Sequence, residues 1–409
     1  MDKITSIKVD DIKTKIDKQD IYIYNGFMAI SKYIKSIDED IKRLKKWDIE
    51  EVFIKDSDAN AYGYQTPEDF EKFARECLVY KNIYFNILEK VKTSLGDFRY
   101  NNIVNISNLK SIIDSILDLI NKNMNAAIEL LNIENLSRDD YYYIRSLNVS
   151  MISLMLGKVM KFPEDKLQKL GLGAILYDIG LIRIQDKVLN KHEQFTPEEY
   201  IEIKKHTVFG YKIIKTNFRL EEEIAVIPLE HHEHYNGKGY PRGISGNQIH
   251  LYPKIVAVAH SLEKILKPIR ILRDSKRTPT YAKIVNGVKT VENKTLSDAV
   301  REIIKGANIK FDPIIAKLVV GTFSVYPVGT VVVLNDNRKG LVFATNISYP
   351  IRPIIKIVSD ENDNFIEDGE VINLIETNKL LISGVDKDSN ILEEVKSRLL
   401  DKKENNDGN

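Results

Sequence analysis

The run His231-His232-Glu233-His234-Tyr235-Asn236-Gly237-Lys238-Gly239-Tyr240-Pro241 constrains this chain more than any other stretch. The protein has seven histidines, and three of them fall in the first four positions of the run. Two adjacent imidazoles reach one metal ion only where the backbone turns to bring both inward. Gly237, Gly239 and Pro241 supply that turn chemistry. Taken alone, the run equally suits a polar surface loop, and the choice rests on the rest of the chain.

A chain of 409 residues, 43% hydrophobic and 29% charged, is expected to hold two or three globular domains with a sizeable core. Its net charge of +1 gives no overall basic field to attract nucleic acid. The single cysteine, Cys77, excludes an internal disulfide framework and fits a reducing compartment. No apolar run reaches membrane-spanning length and the N-terminus lacks an apolar signal core. The expectation is a soluble, cytoplasmic protein with no nucleic-acid or membrane partner.

The expected fold class is mostly α, with small mixed or β units at the ends. Residues 1–60 read as a small α/β unit, with a strand at 21–24 ending at Asn25-Gly26, a helix over 38–47 and a strand at 52–54. Residues 61–138 read as a helical connector. Its stripe of Ile113, Ile116, Leu117, Ile120, Met124, Ala127, Ile128 and Leu131 suits a structural connector or a helix for forming a homodimer. Residues 139–325 are the dense centre. Residues 326–380 read as a small antiparallel β unit with strands at 331–334, 340–344, 354–358 and 371–375. Residues 381–409 read as a short tail helix over 391–400 and a polar, disordered end.

Within the centre, Val149, Ile152, Leu156, Val159 and Met160 share one helical stripe with Arg145. Pro163 opens the next helix at its first turn, whose stripe runs Leu167, Leu170, Ala174 and then Asp178. A carboxylate on such a face must be paired, hydrogen-bonded or metal-bound. Thr196, Pro197 and Glu199 give a capping box, with Phe195 and Tyr200 placed for a hydrophobic staple. His206 follows on that helix, and a further helix runs from Lys254 past His260. The insertion from Arg273 to Lys294 reads as a polar loop. Asp178, His206, His231 and His232 together suit iron, manganese or zinc. Separately, a cap or salt bridge would explain Asp178, and a satisfied core position would explain His206.

At this point the chain resembles a known family. Ala174-Ile175-Leu176-Tyr177-Asp178-Ile179-Gly180, Leu189-Asn190-Lys191, Thr196-Pro197-Glu198-Glu199, Lys205-His206, His231-His232-Glu233, Asn236 to Pro241, Val256 to Ala259 and Phe311-Asp312-Pro313 follow in order as in the HD-GYP domain. That domain is a branch of the HD metal-dependent phosphohydrolases. Tyr326 to Thr330 with Arg352-Pro353 resembles the tail that often follows it. The resemblance implies an all-helical HD-type metal domain acting on cyclic-di-GMP, with a cluster of iron or manganese ions that activates water and neutralises the phosphodiester.

Against that pattern this chain has Arg145 for an upstream His, Tyr177 for the His of the His-Asp pair, and His260 for a late Asp. It also has Leu181 for a Lys and Asn236 for an Asp. Carried over by position, one metal's ligand set is complete: Asp178, which is also the catalytic aspartate, with His206, His231 and His232. The other set keeps only Asp178. Arg145 has no lone pair to offer a metal and would instead hold a phosphate oxygen or Asp178. Tyr177 and His260 are possible rescue ligands, but one divalent ion, iron or manganese, is expected rather than two. Arg145, Lys238 and Tyr240 are the candidate ligand-binding residues. Lys264, Lys267, Arg270 and Arg273 read as a solvated face in preference to phosphate contacts.

The expectation is a cyclic-di-GMP signalling protein with weakened or lost hydrolysis. It would act by binding the dinucleotide, or by docking a diguanylate cyclase domain through Gly239-Tyr240-Pro241. An active phosphodiesterase with a variant site is the alternative, and a metal that merely staples helices is a third reading.

Overall fold

The computed structural model describes backbone and side chains for residues 79–98, 104–131, 140–189, 195–266, 294–326, 328–344 and 351–386, apart from Asp368 and Asn378. It describes backbone alone for residues 4–8, 21–24, 27–30, 51–55, 61–63, 67–78, 99–101, 132, 282–285, 288–291 and 345–346. The sequence-predicted helices at 38–47 and 391–400 lie outside these residues.

Helices form the body: α1 (Pro67–Asn101), α2 (Ile106–Lys122), α3 (Met124–Glu129), α4 (Tyr141–Val159), α5 (Glu164–Ile175), α6 (Pro197–Lys204), α7 (His206–Lys212), α8 (Glu222–Glu230), α9 (Leu251–Leu266), α10 (Leu296–Lys305) and α11 (Pro313–Phe323). From Ile144 to Val159, every α4 residue but Lys158 is buried, so this helix is the axis of the bundle. Two of its polar side chains are tied to neighbours. Tyr84 Oη of α1 donates to Asn148 Oδ1 at 2.9 Å, and Ser150 Oγ donates to the Gly171 carbonyl of α5 at 3.2 Å.

The α2 stripe of Leu109, Ile112, Ile113, Ile116, Leu117 and Ile120 is buried in the same core as α4 and α5. Ile113 and Leu154 both press on Gly171. The stripe is thus covered within the core of its own chain. Periodicity shows that a face must be covered, not by what. No described helix is long and apolar enough to cross a membrane.

Strands β1 (Ile4–Lys8), β2 (Ile21–Tyr24), β3 (Phe27–Ile30) and β4 (Glu51–Lys55) form an antiparallel sheet in the order β1-β4-β2-β3. β5 (Ala61–Gly63) leaves that unit and pairs near the C-terminus with β9 (Lys339–Asn346). β8 (Val331–Leu334), β9, β10 (Ile354–Ser359), β11 (Val371–Asn373) and β12 (Ile382–Val385) complete the second sheet, in the order β11-β10-β9-β8-β12. The sheet thus reaches beyond residues 326–380 at both ends. β12 is short and interrupted by Gly384, and only its pairing with β8 reveals it.

The insertion read as a polar loop contains a hairpin, β6 (Ala282–Val285) with β7 (Val288–Val291), closing as Val285↔Val288. Asn286-Gly287 between alternating residues is a strong two-residue hairpin signal, masked in the sequence by the polar segments around it.

Leu154 is fully buried in α4. Leu154→Ala should cost about 2–5 kcal/mol, read in urea unfolding as a lower midpoint with unchanged slope.

Candidate metal centre

Three local structures place the clustered residues. α5 stops at Ile175, and Asp178 sits in the turn before a 3-10 helix at Ile179–Arg183. The apolar stripe therefore does not extend to Asp178 as helix. Gly180 then lies flat on α7: a Cβ there would overlap the His206 carbonyl and the Gly210 amide. That contact requires glycine and brings Asp178 to the start of α7. α6 opens with the expected Thr196–Glu199 capping box, though Phe195 and Tyr200 both stay exposed. Pro163 sits one position ahead of the first helical turn, as the N-cap of α5.

His231 and His232 follow the end of α8. Two buried carboxylates fix the loop beyond them. Glu230 accepts the His250 amide at 2.8 Å and the Arg242 guanidinium. Glu233 Oε1 accepts the amides of Arg242 (2.7 Å) and Gly243 (3.2 Å). Gly239 presses on the backbone of His232, Glu233 and His234, where a Cβ would not fit.

Ligand atoms of Asp178, His206, His231 and His232 all lie within 4.8 Å of one another. Nδ1 of His206 is 2.6 Å from the Ile203 carbonyl and Nδ1 of His231 is 3.0 Å from the Pro228 carbonyl. A carbonyl only accepts, so each Nδ1 carries the proton and each Nε2 presents a lone pair. Those Nε2 atoms are buried and meet no hydrogen-bond partner. They face Asp178 Oδ1 at 3.3 and 3.5 Å. Burial, above all, lowers the pKa of His231 and His232, which keeps both imidazoles in the neutral, ligating form. Acceptors aimed at acceptors repel one another unless a cation lies among them, so these residues fit a divalent metal.

The other candidates sit around this cluster in different roles. Arg145 is buried, and Nε donates to Glu263 Oε2 at 3.0 Å. Its Nη2 lies 3.2 and 3.5 Å from the two ring nitrogens of His260. No hydrogen bond joins Arg145 to Asp178 among the described residues. Glu263, one turn after His260 and buried, was not anticipated; the sequence signal was that a buried guanidinium needs a carboxylate. Tyr177 is fully buried, and its Oη has no hydrogen-bond partner. Burial drives its pKa well upward, with Arg145 opposing, so phenolate is disfavoured.

Tyr240 stacks on His232 with ring centroids 4.6 Å apart and planes at 17°. Lys204 Nζ lies over the rings of both Tyr200 (4.7 Å) and Tyr240 (4.9 Å). Lys238 is exposed on the loop. Lys267, Arg270 and Arg273 lie outside the described residues.

The HD domain family matches residues 114–315, and a KOW domain associated with HD domains matches residues 331–394. The chain belongs to the HD-GYP branch of the HD domain family. Over 267 residues it is 24% identical to a cyclic di-GMP phosphodiesterase of Pseudomonas aeruginosa, covering 65% of this chain and 59% of that protein. Over 246 residues it is 29% identical to one of Borreliella burgdorferi, covering 60% and 58%. A third, from Thermotoga maritima, is 34% identical over 140 residues, 34% of this chain and 38% of that one. The chain therefore spans about three fifths of the length of the first two relatives.

Two outcomes follow for this HD-GYP protein. Saturating divalent metal, at about 100 times its Kd, should stabilise the fold by about 2.7 kcal/mol, seen as a rise in Tm that His206→Ala abolishes. Arg145→Met strips buried Glu263 of this cation and should destabilise by about 3–5 kcal/mol, whereas Arg145→Met with Glu263→Met should recover most of the loss. Chemical denaturation of both variants checks this.

Proposed function

We propose that this protein is a cyclic-di-GMP-responsive HD-GYP protein that holds one iron or manganese ion through Asp178, His206, His231 and His232, and hydrolyses the dinucleotide weakly or not at all. The three relatives named above are cyclic di-GMP phosphodiesterases, which supports the dinucleotide. When bound, a divalent ion supplies concentrated positive charge to a phosphodiester.

The observation that carries the single-ion reading is the Arg145–Glu263 pair. A guanidinium only donates, so Arg145 beside His260 occupies a ring lone pair that a metal would need. Burial and the Arg145 charge both lower the His260 pKa. A second divalent ion here would face a fixed cation in a buried setting where charge is poorly screened. Tyr177 offers a neutral phenol in place of an imidazole. Asp178 would thereby hold a single ion together with His206, His231 and His232.

Leu181 stands in the 3-10 helix after Asp178, where a cation would reach the scissile phosphate. Losing such a contact costs about 2–4 kcal/mol in transition-state stabilisation, roughly two to three decades in rate. Binding is less affected. Lys204, over the Tyr200 and Tyr240 rings, supplies charge near His232.

Elemental analysis of anaerobically purified protein should give close to one iron or manganese per chain, lost in His231→Ala. Cyclic-di-GMP should bind by calorimetry while turnover stays at least two decades below that of the relatives. Turnover matching theirs would establish instead an active phosphodiesterase with a variant site.

A further inference from the structure

Beside the metal-ligand cluster, a group of positive charges is left unused by this reading. Lys264 lies on α9 one turn beyond His260, next to Glu263. Lys310 lies in the loop between α10 and α11, and its Nζ donates to Ser261 Oγ of α9 at 2.9 Å. The same ammonium sits 4.9 Å from the Phe311 ring centroid. Ser261 precedes Lys264 by three residues, so both lysines converge on one side of α9.

Neither ammonium has a carboxylate within ion-pair distance among the described residues. The carboxylates that line a small cavity with Lys310 are engaged elsewhere. Glu233 accepts loop amides, and Asp312 pairs with Lys254 at 3.1 Å. Glu263 pairs with Arg145.

Both lysines are exposed at the surface, yet their ammonium groups are crowded. Burial of the charged end, then Arg145, lowers the Lys264 pKa, with Asp178 opposing. Burial, then Lys264, lowers that of Lys310 to about 8. Lys310 in turn acts on His234. Thus charge runs from Asp178 past Arg145 and Lys264 to Lys310, and nothing described neutralises its outer end. Like charges held together without a counterion are costly, and a chain keeps them where an anion completes the set.

We propose that Lys264 and Lys310, with Ser261 between them, form a phosphate subsite that takes the second phosphate of a cyclic dinucleotide whose first phosphate lies at the metal-ligand cluster. The proposal rests on the dinucleotide reading above, but the subsite recognises any phosphate of suitable reach. It supplies from side chains part of the charge lost where Leu181 stands in place of a Lys, and it does so on the ligand's far end, where it strengthens binding without aiding bond cleavage.

The test uses the full chain loaded with manganese, with Lys264→Met and Lys310→Met made singly. Each should weaken cyclic-di-GMP about tenfold, as expected for one lost charge-assisted hydrogen bond, and flatten the salt dependence, with manganese content unchanged. Inorganic pyrophosphate is the second probe, followed through the NMR signals of the lysine side chains in chain loaded with diamagnetic zinc instead. It should shift Lys264 and Lys310 together. If wild type binds cyclic-di-GMP and both variants bind equally well, the subsite is overturned while the dinucleotide reading stands. If wild type ignores cyclic-di-GMP but pyrophosphate still moves both lysines, the subsite stands and the dinucleotide reading falls. If neither anion perturbs the two lysines, the subsite is overturned.

Discussion

Two carbonyl oxygens decide the chemistry of this protein's centre. The carbonyls of Ile203 and Pro228 hold the Nδ1 protons of His206 and His231, and so turn both Nε2 lone pairs toward Asp178. Both carbonyls come from the residue three positions earlier, so each histidine is oriented by the helix just ahead of it, α6 for His206 and α8 for His231. The arrangement is available only because Gly180 allows the Asp178 turn to rest on the first turn of α7. Remove that contact and the carboxylate and the imidazoles belong to separate elements. The bundle, with α4 at its axis, exists in functional terms to keep these backbone distances fixed.

Beside this cluster a second buried charge system follows opposite rules. Arg145 and Glu263 satisfy each other inside the fold. A buried pair of this kind gives little net stability against an apolar replacement, yet losing either member is expensive. The pair is therefore kept rigidly, and its fixed positive end defines what else the pocket can hold. Arg145 thus sets a covalently tethered cation beside His260.

The ordered motifs from Asp178 to Pro241 made the cluster of Asp178, His206, His231 and His232 legible, because each residue lies in a short segment with its own turn or capping signal. The Thr196 capping box and the strands at 331–334 and 354–358 were equally local. Glu263 and Lys310 were not legible. Their importance comes from what faces them across the bundle, Arg145 in one case and Ser261 in the other, at sequence separations of 118 and 49 residues. The destination of the α2 stripe was hidden for the same reason. The β6–β7 hairpin was different: Asn286-Gly287 carried the signal, and its polar surroundings outweighed it.

β5 crosses from the N-terminal strands to pair with β9, so the stretch just ahead of α1 is laced by main-chain bonds to the β unit behind α11. The two ends of the helical body are thereby buckled to each other. Cutting the chain between Gly63 and Pro67 would leave the outer part of β9 with open amides and carbonyls, a ready template for strand exchange between molecules. A shortened version that keeps every metal-ligand candidate would still be prone to self-association through that bared edge.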